Sequence, residues 1–207
     1  MSGNAGRNFG KSIMAKSDAL PPLLDVLKDL MVWFENEKIK GIVIEGIAAS
    51  LLGRPRVTHD VDVLVQLDEK HWPDFLSRAA RYNFLPRINE ALKFAEKSRV
   101  LLLQHKPTHI NVDIAFAALP FEEQSILNSI KFEIEGITLR LPSPEDLIIM
   151  KAVAARPKDL IDIDAIIDAN PDLKYKRIRG LVREFAEALN MPDLFEELDK
   201  ILTKKRK

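Results

Sequence analysis

Two aspartates separated by one residue, Asp60 and Asp62, are the first candidates for chemistry in this chain. They precede the apolar run Val63–Val65, which is typical of a buried strand. Because side chains alternate across a strand, both carboxylates are expected on the same face. Adjacent carboxylates repel each other and are costly to bury without a partner. A divalent cation satisfies such a pair, and Mg²⁺ favours carboxylates combined with substrate phosphates.

The residues just before this pair extend the same alternation. Arg56 and Thr58 would join the row of side chains if the strand reached back to them. His59 falls off the row, and we interpret it as structural. Taken alone, an Asp-x-Asp pair is explained equally well by a solvated strand end or by a salt bridge to a residue such as Arg56.

A third acid, Asp113, lies in the middle of an otherwise apolar strand predicted over residues 110–116. If that strand pairs beside Val61–Val65, Asp113 joins Asp60 and Asp62 in one cluster. Three carboxylates can hold two Mg²⁺ ions about 3.5–4 Å apart, which stabilises both the attacking and the leaving oxygen of a phosphoryl displacement. Mn²⁺ would suit the same ligands. The structural alternative is that the three acids form only salt bridges.

A glycine turn precedes the aspartates. Gly46 follows the apolar residues 42–44 and opens a short helix predicted over residues 48–52. Glycine at a strand–helix junction lets backbone N–H groups approach a phosphate, and the start of a helix favours anions. Ser50, one turn further on, offers a hydroxyl to the same phosphate. An ordinary tight turn and a surface hydroxyl explain these two residues equally well.

Hydrophobic periodicity divides the chain into an α/β part and a helical part. Ser143 is predicted to cap a helix whose first residue is Pro144. The other helices are predicted over residues 20–39, 71–82, 91–96, 121–130, 158–169, 174–189 and 193–202, and the other strands over 99–104, 131–134 and 137–141. The predicted parts are a flexible N-terminal arm over 1–17, an α/β core over 18–142, a helical subdomain over 143–203 and a basic tail over 204–207.

The composition limits the possible functions. The absence of cysteine excludes disulfides and thiolate metal sites and favours a reducing, cytoplasmic setting. Lys and Arg together number 31, as do Asp and Glu, so any nucleic-acid binding must come from a local patch. Basic residues between Lys174 and Arg183 are candidates, although a solvated helix face is the preferred interpretation. No apolar run approaches membrane-spanning length, so no membrane partner is expected.

Together these residues resemble the nucleotidyltransferase superfamily with the polymerase-beta-like fold, and within it the minimal, AbiEii-like group. That group combines a Gly-Gly-x-Ala turn, a helix, an Arg-x-Thr-x-Asp-[Ile/Val]-Asp segment and a later strand acid. The matching segments are 45–48, 56–62 and Asp113, and the resemblance continues through 142–151 and 156–162. It implies an α+β fold in which a mixed sheet is flanked by helices and followed by a helical C-terminal segment.

The resemblance also implies an activity, which is Mg²⁺-dependent transfer of a nucleoside monophosphate from an NTP to a hydroxyl with release of pyrophosphate. Asp60 and Asp62 would bind the metal on the nucleotide. Asp113 would complete the second metal site and act as general base. The residues implied in nucleotide binding are Gly46, Ser50, Arg56, Thr58, Lys151 and Asp159.

Several of these roles have structural alternatives. Lys151 would neutralise triphosphate charge, or pair with Asp146 or Glu145 on its own helix. Arg56 would contact phosphate or, as we prefer, orient Asp60 by a salt bridge. Asp159 and its neighbour Asp162 would anchor Lys151 or Arg56, or lie on a helix surface.

Glu45 departs from the family pattern, because it stands where the first glycine is usual. An acid there would repel a triphosphate unless it points away or pairs. The alternative function is therefore a degenerate module that binds nucleotides or partners without transfer. The acceptor is left open among an RNA or tRNA end, a protein hydroxyl and a small molecule, as are the oligomeric state and a toxin–antitoxin setting with a partner antitoxin.

Overall fold

The structure, a computed structural model, describes residues 20–204, and its centre is a five-stranded mixed sheet. The arm predicted over residues 1–17 and all but the first residue of the predicted tail lie outside the described residues. In chain order the strands of this sheet are β1 (Lys40–Val43), β2 (Asp60–Gln66), β3 (Phe84–Pro86), β4 (Val100–His105) and β5 (Asn111–Phe116). A separate hairpin contains β6 (Ile130–Ile134) and β7 (Ile137–Leu141).

The sheet has the spatial order β1-β2-β5-β4-β3. The central pair, β2 and β5, is parallel, whereas all other neighbouring strands are antiparallel. A parallel pair needs a long crossover connection, and here the chain between β2 and β5 supplies two helices and the strands β3 and β4. The predicted mixed sheet flanked by helices is confirmed.

Helices cover the sheet and make up the C-terminal third of the chain. They are α1 (Leu20–Asn36), α2 (Glu45–Leu52), α3 (Trp72–Ala79), α4 (Ala91–Ser98), α5 (Pro120–Leu127), α6 (Pro144–Ala154), α7 (Pro157–Ala169), α8 (Tyr175–Ala188) and α9 (Asp193–Lys204). The start of α6 follows the prediction, since the Ser143 hydroxyl accepts a hydrogen bond from the backbone N–H of Asp146 at 3.1 Å. Helix α6 packs against α2, α7 and α8, which ties the helical part to the site end of the sheet.

The two faces of the sheet are covered differently. On one face Val61, Val63 and Val65 join a large hydrophobic core that extends from α1 to α9. On the other face Leu64 belongs to a small cluster with Ile42 and Ile126. The aspartates of β2 share the second face with Leu64, and they lie at the end of the strand where this cover is thin. Among residues 20–204, no helix is long and apolar enough to cross a membrane.

Some predicted boundaries are wrong. The helix predicted over 71–82 is regular only in α3, because single 3-10 turns flank it and Asn83 ends it with a left-handed φ of 68°. The short strand β3 was not predicted, since its three residues are too few for a periodic signal. Helix α2 begins at Glu45, three residues before the predicted start. Strand β2 begins at Asp60, so Arg56 and Thr58 belong to the preceding loop and do not extend its row of side chains.

Candidate active site

The register of β2 on β5 brings three carboxylates to one face of the sheet. Asp62 lies opposite Asp113, and Asp60 lies opposite Asn111. The two strands therefore meet the condition under which Asp113 was expected to join Asp60 and Asp62 in one cluster. The alternation that buries Val61 and Val112 on the core face directs the aspartates to the other face. We call Asp60, Asp62 and Asp113 the acid row.

Negative charge is concentrated in the acid row. Burial raises the pKa of Asp62 to about 7, and the neighbouring carboxylates of Asp60, Glu45 and Asp113 add to the rise, while Lys158 offsets part of it. Among the described ion pairs, none involves Asp60 or Asp62. A largely buried carboxylate among other carboxylates is the environment that a cation stabilises most.

The outer members of the acid row are held by neighbours. Arg87 places its Nη2 atom 2.7 Å from Oδ1 of Asp113, yet burial still raises the Asp113 pKa. The Thr58 hydroxyl donates to Oδ1 of Asp60 at 3.1 Å. With the side chains so placed, no three acidic or imidazole groups within residues 20–204 stand close enough to hold a metal ion. The donor set itself fits Mg²⁺, because it offers only carboxylate oxygens around an excess of negative charge.

Beside the acid row, three cations and three carboxylates form what we call the ion-pair cluster. Its members are Lys151, Arg156, Arg56, Glu45, Asp159 and Asp162. Lys151 is fully buried, and its Nζ lies 3.0 Å from Asp159, 2.8 Å from Asp162 and 3.5 Å from Glu45. Burial alone would lower the pKa of Lys151, but these carboxylates outweigh it and raise the pKa.

Arg156, like Arg56, is a partly exposed cation of the ion-pair cluster. Its side chain is 42% exposed, and it contacts Asp159 through Nε at 2.6 Å and Glu45 through Nη2 at 2.5 Å. Although burial opposes ionisation of Asp159, hydrogen bonds from Arg156 and Lys151 lower the pKa of this acid. Arg56 completes the cluster with two hydrogen bonds of 3.2 Å to Asp162.

The turn into α2 joins the acid row to the ion-pair cluster. The backbone N–H of Ile44 donates to the carbonyl of Asp62 at 2.9 Å, which holds the start of α2 against β2. Glu45, the next residue, has a φ of 53°. This left-handed conformation favours glycine and explains the glycine that is usual in the resembling family. Gly46 has a different reason, since an added Cβ would lie 2.7 Å from Oγ1 of Thr58.

The structure places the predicted nucleotide-binding residues around this turn, with three corrections to their contacts. Lys151 pairs with neither Asp146 nor Glu145; Asp146 instead contacts Arg177 at 2.6 Å. Arg56 pairs with Asp162 and not with Asp60.

Ser50 differs in a similar way from a free surface hydroxyl. Its hydroxyl lies within hydrogen-bond distance of the backbone carbonyls of Gly46 and Arg56, at 2.9 and 3.1 Å. Its proton is therefore used to hold the loop before β2 against α2. The predicted anchoring of Lys151 and Arg56 by Asp159 and Asp162 agrees with the observed contacts.

Sequence reasoning gave no role to Arg87 or Arg156. Arg87 follows β3, the strand that was too short to predict. Arg156 had a usable signal, because it precedes Pro157 at the start of a helix and is followed three residues later by Asp159, the spacing of a helix-capping pair. A cavity of about 500 Å³ lies at the far end of β2, around Gln66, and shares no residue with the acid row.

The comparison with protein families decides the assignment. The family described as "Nucleotidyltransferase of unknown function (DUF6036)" matches residues 22–174, which include the acid row and the ion-pair cluster. The chain belongs to this family. Membership covers most of the described residues and agrees with the superfamily expected from the motifs, while the AbiEii-like subgroup stays a prediction.

Solved structures with the same fold are distant in sequence. The antibiotic-resistance factor ANT(2'')-Ia is 11% identical with a TM-score of 0.58, over 84% of this chain and 96% of that protein. A nucleotidyltransferase-like antigen from Paracoccidioides brasiliensis is 17% identical with a TM-score of 0.52, over 88% and 93%. The lincosamide antibiotic adenylyltransferase LnuA is 13% identical with a TM-score of 0.51, over 70% and 96%. These likenesses show the fold alone. A comparison with curated protein sequences gives no match.

Proposed function

We propose that this DUF6036 nucleotidyltransferase transfers a nucleoside monophosphate from an NTP to a hydroxyl acceptor and releases pyrophosphate. The observation that carries the proposal is the parallel register that sets Asp62 beside Asp113, with Asp60 on the same face. A row of three carboxylates with one described ion pair, between Arg87 and Asp113, lies next to a helix start and a group of cations and suits a metal-bound phosphate chain.

Asp60, Asp62 and Asp113 would hold Mg²⁺, which when bound neutralises phosphate charge and stabilises the attacking and leaving oxygens. Asp113 would accept the proton of the acceptor hydroxyl. The acceptor oxygen then bonds to the α-phosphorus, and the bond from the α-phosphorus to the bridging oxygen breaks. The proton leaves through Asp113 to solvent, and pyrophosphate departs.

The cations of the ion-pair cluster would have different roles towards the phosphate chain. Arg156 is exposed enough to contact a phosphate directly. Lys151 is fully buried among carboxylates, so it would position Asp159 and Asp162 instead of touching the ligand. Gly46 would bring the backbone of α2 close to the ligand, and Thr58 would hold Asp60 in place.

Of the open acceptors, we favour a small-molecule hydroxyl over an RNA or tRNA end. The basic residues of α8 are partly committed within the protein. Arg177 pairs with Asp146, Arg179 pairs with Asp199 at 2.6 Å, and Arg183 lies over the ring of Phe195 at 4.5 Å. These contacts leave a weaker phosphate-binding surface than the sequence suggests. A toxin–antitoxin setting stays a prediction.

Thermal unfolding with each NTP, with and without Mg²⁺, tests the proposal. Binding to the native state raises the midpoint by linkage. We expect a Mg²⁺-dependent rise for at least one NTP in the wild type and no rise in a variant carrying Asp60→Asn and Asp62→Asn. Asp172→Asn, an exposed acid away from the site, is the matched control. A folded wild type that responds to no NTP would contradict the proposal.

A binding module without transfer is the second candidate, and the pairing of Glu45 with Arg156 favours it. A cation already bound to an internal carboxylate contributes less to holding a triphosphate. Measured release of pyrophosphate separates the two functions. If the protein is a binding module, we expect Mg²⁺-dependent nucleotide binding and no release of pyrophosphate with any acceptor.

A further inference from the structure

Glu45 is the one carboxylate that borders both charged regions of the described site. Its Oε2 contacts Arg156 at 2.5 Å and Lys151 at 3.5 Å, while its charge repels that of Asp62. With Glu45 included, the ion-pair cluster has three positive and three negative side chains and is neutral. Without it, the cluster would carry one positive charge next to the acid row.

The backbone at Glu45 is held in an unfavourable conformation. A φ of 53° costs a residue with a Cβ atom about 1 kcal/mol relative to glycine. Such conformations persist where surrounding contacts over-determine them, and they often mark functional sites. Here the side-chain contacts with the two cations provide the compensation.

We propose that the Glu45 carboxylate occupies the place of a donor phosphate on Arg156 and that the phosphate displaces it when the nucleotide binds. The inference rests on the proposed function in one respect, which is that the displacing phosphate belongs to a bound NTP. It makes Glu45 a specificity-determining residue, because a donor binds only if its phosphate chain competes successfully with an internal carboxylate.

Accessibility favours exchange over a permanent contact. The Glu45 side chain is 22% exposed and that of Arg156 is 42% exposed, so a ligand can reach the contact between them. Asp159, in contrast, is fully buried. Charge-assisted hydrogen bonds at such an exposed contact exchange partners at little net cost, because water screens both states.

The remaining contacts would keep the cations in position after the exchange. Arg156 retains Asp159, which it contacts through both Nε at 2.6 Å and Nη2 at 3.1 Å. Lys151 retains Asp159 and Asp162. The guanidinium is thus oriented before the ligand arrives, and Glu45 alone has to move. Its departure also removes one of the carboxylates that repel Asp62.

Inorganic tripolyphosphate, titrated calorimetrically with Mg²⁺ in excess, tests the exchange without a nucleoside. We expect Glu45→Gly to tighten its binding by about tenfold, since a competing like charge is removed. Glu45→Gln, which keeps the side-chain length, is expected to tighten binding in the same direction. The affinity for orthophosphate is expected to increase less in these variants, because a single phosphate reaches fewer of the site's side chains than tripolyphosphate does.

Glu135→Gly is the matched control. Glu135 is exposed in the β6–β7 turn and has a φ of 45°. The substitution by glycine therefore relieves a similar backbone strain without changing the ion-pair cluster. It is expected to leave tripolyphosphate binding unchanged. Unchanged or weaker binding in both Glu45 variants would overturn the inference, as would the absence of tripolyphosphate binding in the wild type and the variants alike.

The outcome is separable from that of the proposed function. Tighter tripolyphosphate binding in Glu45→Gly, with no pyrophosphate released from any NTP, would support the exchange and contradict the enzyme. Transfer activity in the wild type, with no increase in tripolyphosphate affinity in Glu45→Gly or Glu45→Gln, would support the enzyme and contradict the exchange. Resonances of the Arg156 Nη2 protons, followed by NMR, report the change of partner directly and should shift on adding tripolyphosphate.

Discussion

Asp62 and Asp159 are both largely removed from water, yet their pKa values move in opposite directions. Carboxylates surround Asp62 in the acid row, and its pKa rises to about 7. Two cations bind Asp159 in the ion-pair cluster, and its pKa falls. Burial acts in the same direction on both, so the partners decide the difference. The ion-pair cluster has equal numbers of positive and negative side chains, whereas the three carboxylates of the acid row have one ion-pair partner among the described residues, Arg87.

The largest effect is expected from breaking the ion-pair cluster. Lys151→Met leaves Asp159 and Asp162 without their buried cation. It should lower the free energy of unfolding by about 3–5 kcal/mol, because removing one partner leaves buried negative charges without a compensating positive charge. Urea unfolding measures it. Lys131→Met, at an exposed position, should stay within about 0.5 kcal/mol of the wild type. A similar small loss for Lys151→Met would show that the cluster is not structural.

The turn between the two regions should tolerate no side chain at Gly46. A Cβ there would lie 2.7 Å from Thr58 Oγ1, so Gly46→Ala is expected to cost about 1–3 kcal/mol through overpacking. At Gly180 in α8 an added Cβ meets no atom within 4 Å. Gly180→Ala should therefore stabilise the helix by about 0.5–1 kcal/mol. Equal effects from the two substitutions in thermal unfolding would contradict this account.

Removing charge from the acid row should stabilise the metal-free protein at high pH. Because the folded-state pKa of Asp62 lies above its unfolded value, the unfolded state releases this proton first, and stability falls as pH rises from about 4 to 7. Asp62→Asn should abolish that fall and gain about 1–2 kcal/mol at pH 8, allowing for solvent screening.

The gain from Asp62→Asn should vanish below about pH 3, where the carboxyl is protonated in both the folded and the unfolded state. Asp172→Asn, at an exposed site, should follow the wild type at every pH. Thermal unfolding across pH, without divalent ions, checks both curves. A destabilised Asp62→Asn at pH 8 would mean that the acid row is compensated after all.

The smallest expected effect concerns the contact of Arg87 with Asp113. A guanidinium 2.7 Å from this carboxylate competes with any metal ion for it. Arg87→Met should therefore tighten Mg²⁺ binding by a few-fold, about 1 kcal/mol or less. Calorimetric titration with Mg²⁺ measures this change. Arg140→Met, on the separate hairpin, should leave Mg²⁺ affinity unchanged, and weaker binding in Arg87→Met would contradict the competition.

Sequence alone predicted the elements that rest on long periodic patterns or on strong local signals. Strand alternation placed Asp60 and Asp62 on one face, and Asp113 was expected to join them on the condition, which the structure meets, that its strand pairs beside β2. The Ser143 cap is fixed by short-range chemistry, and it is present.

The contacts that the sequence did not predict join residues far apart in the chain. Arg56 lies 106 positions from Asp162, and Glu45 lies 111 positions from Arg156. No periodicity reports which of several acids a given arginine meets, since that depends on how α6 and α7 dock against α2. Strand β3 was not predicted for a different reason, because three residues are too few to show the alternation of a strand.

The most direct test of the account is the number of divalent ions that the acid row binds. Electron paramagnetic resonance can count bound Mn²⁺ in the presence of a non-hydrolysable NTP analogue. We predict about two Mn²⁺ per chain for the wild type, as three carboxylates beside a triphosphate allow, and loss of protein-dependent Mn²⁺ binding in Asp62→Asn. Mn²⁺ binding that is identical in the wild type and Asp62→Asn would contradict the central claim that the acid row is the metal site.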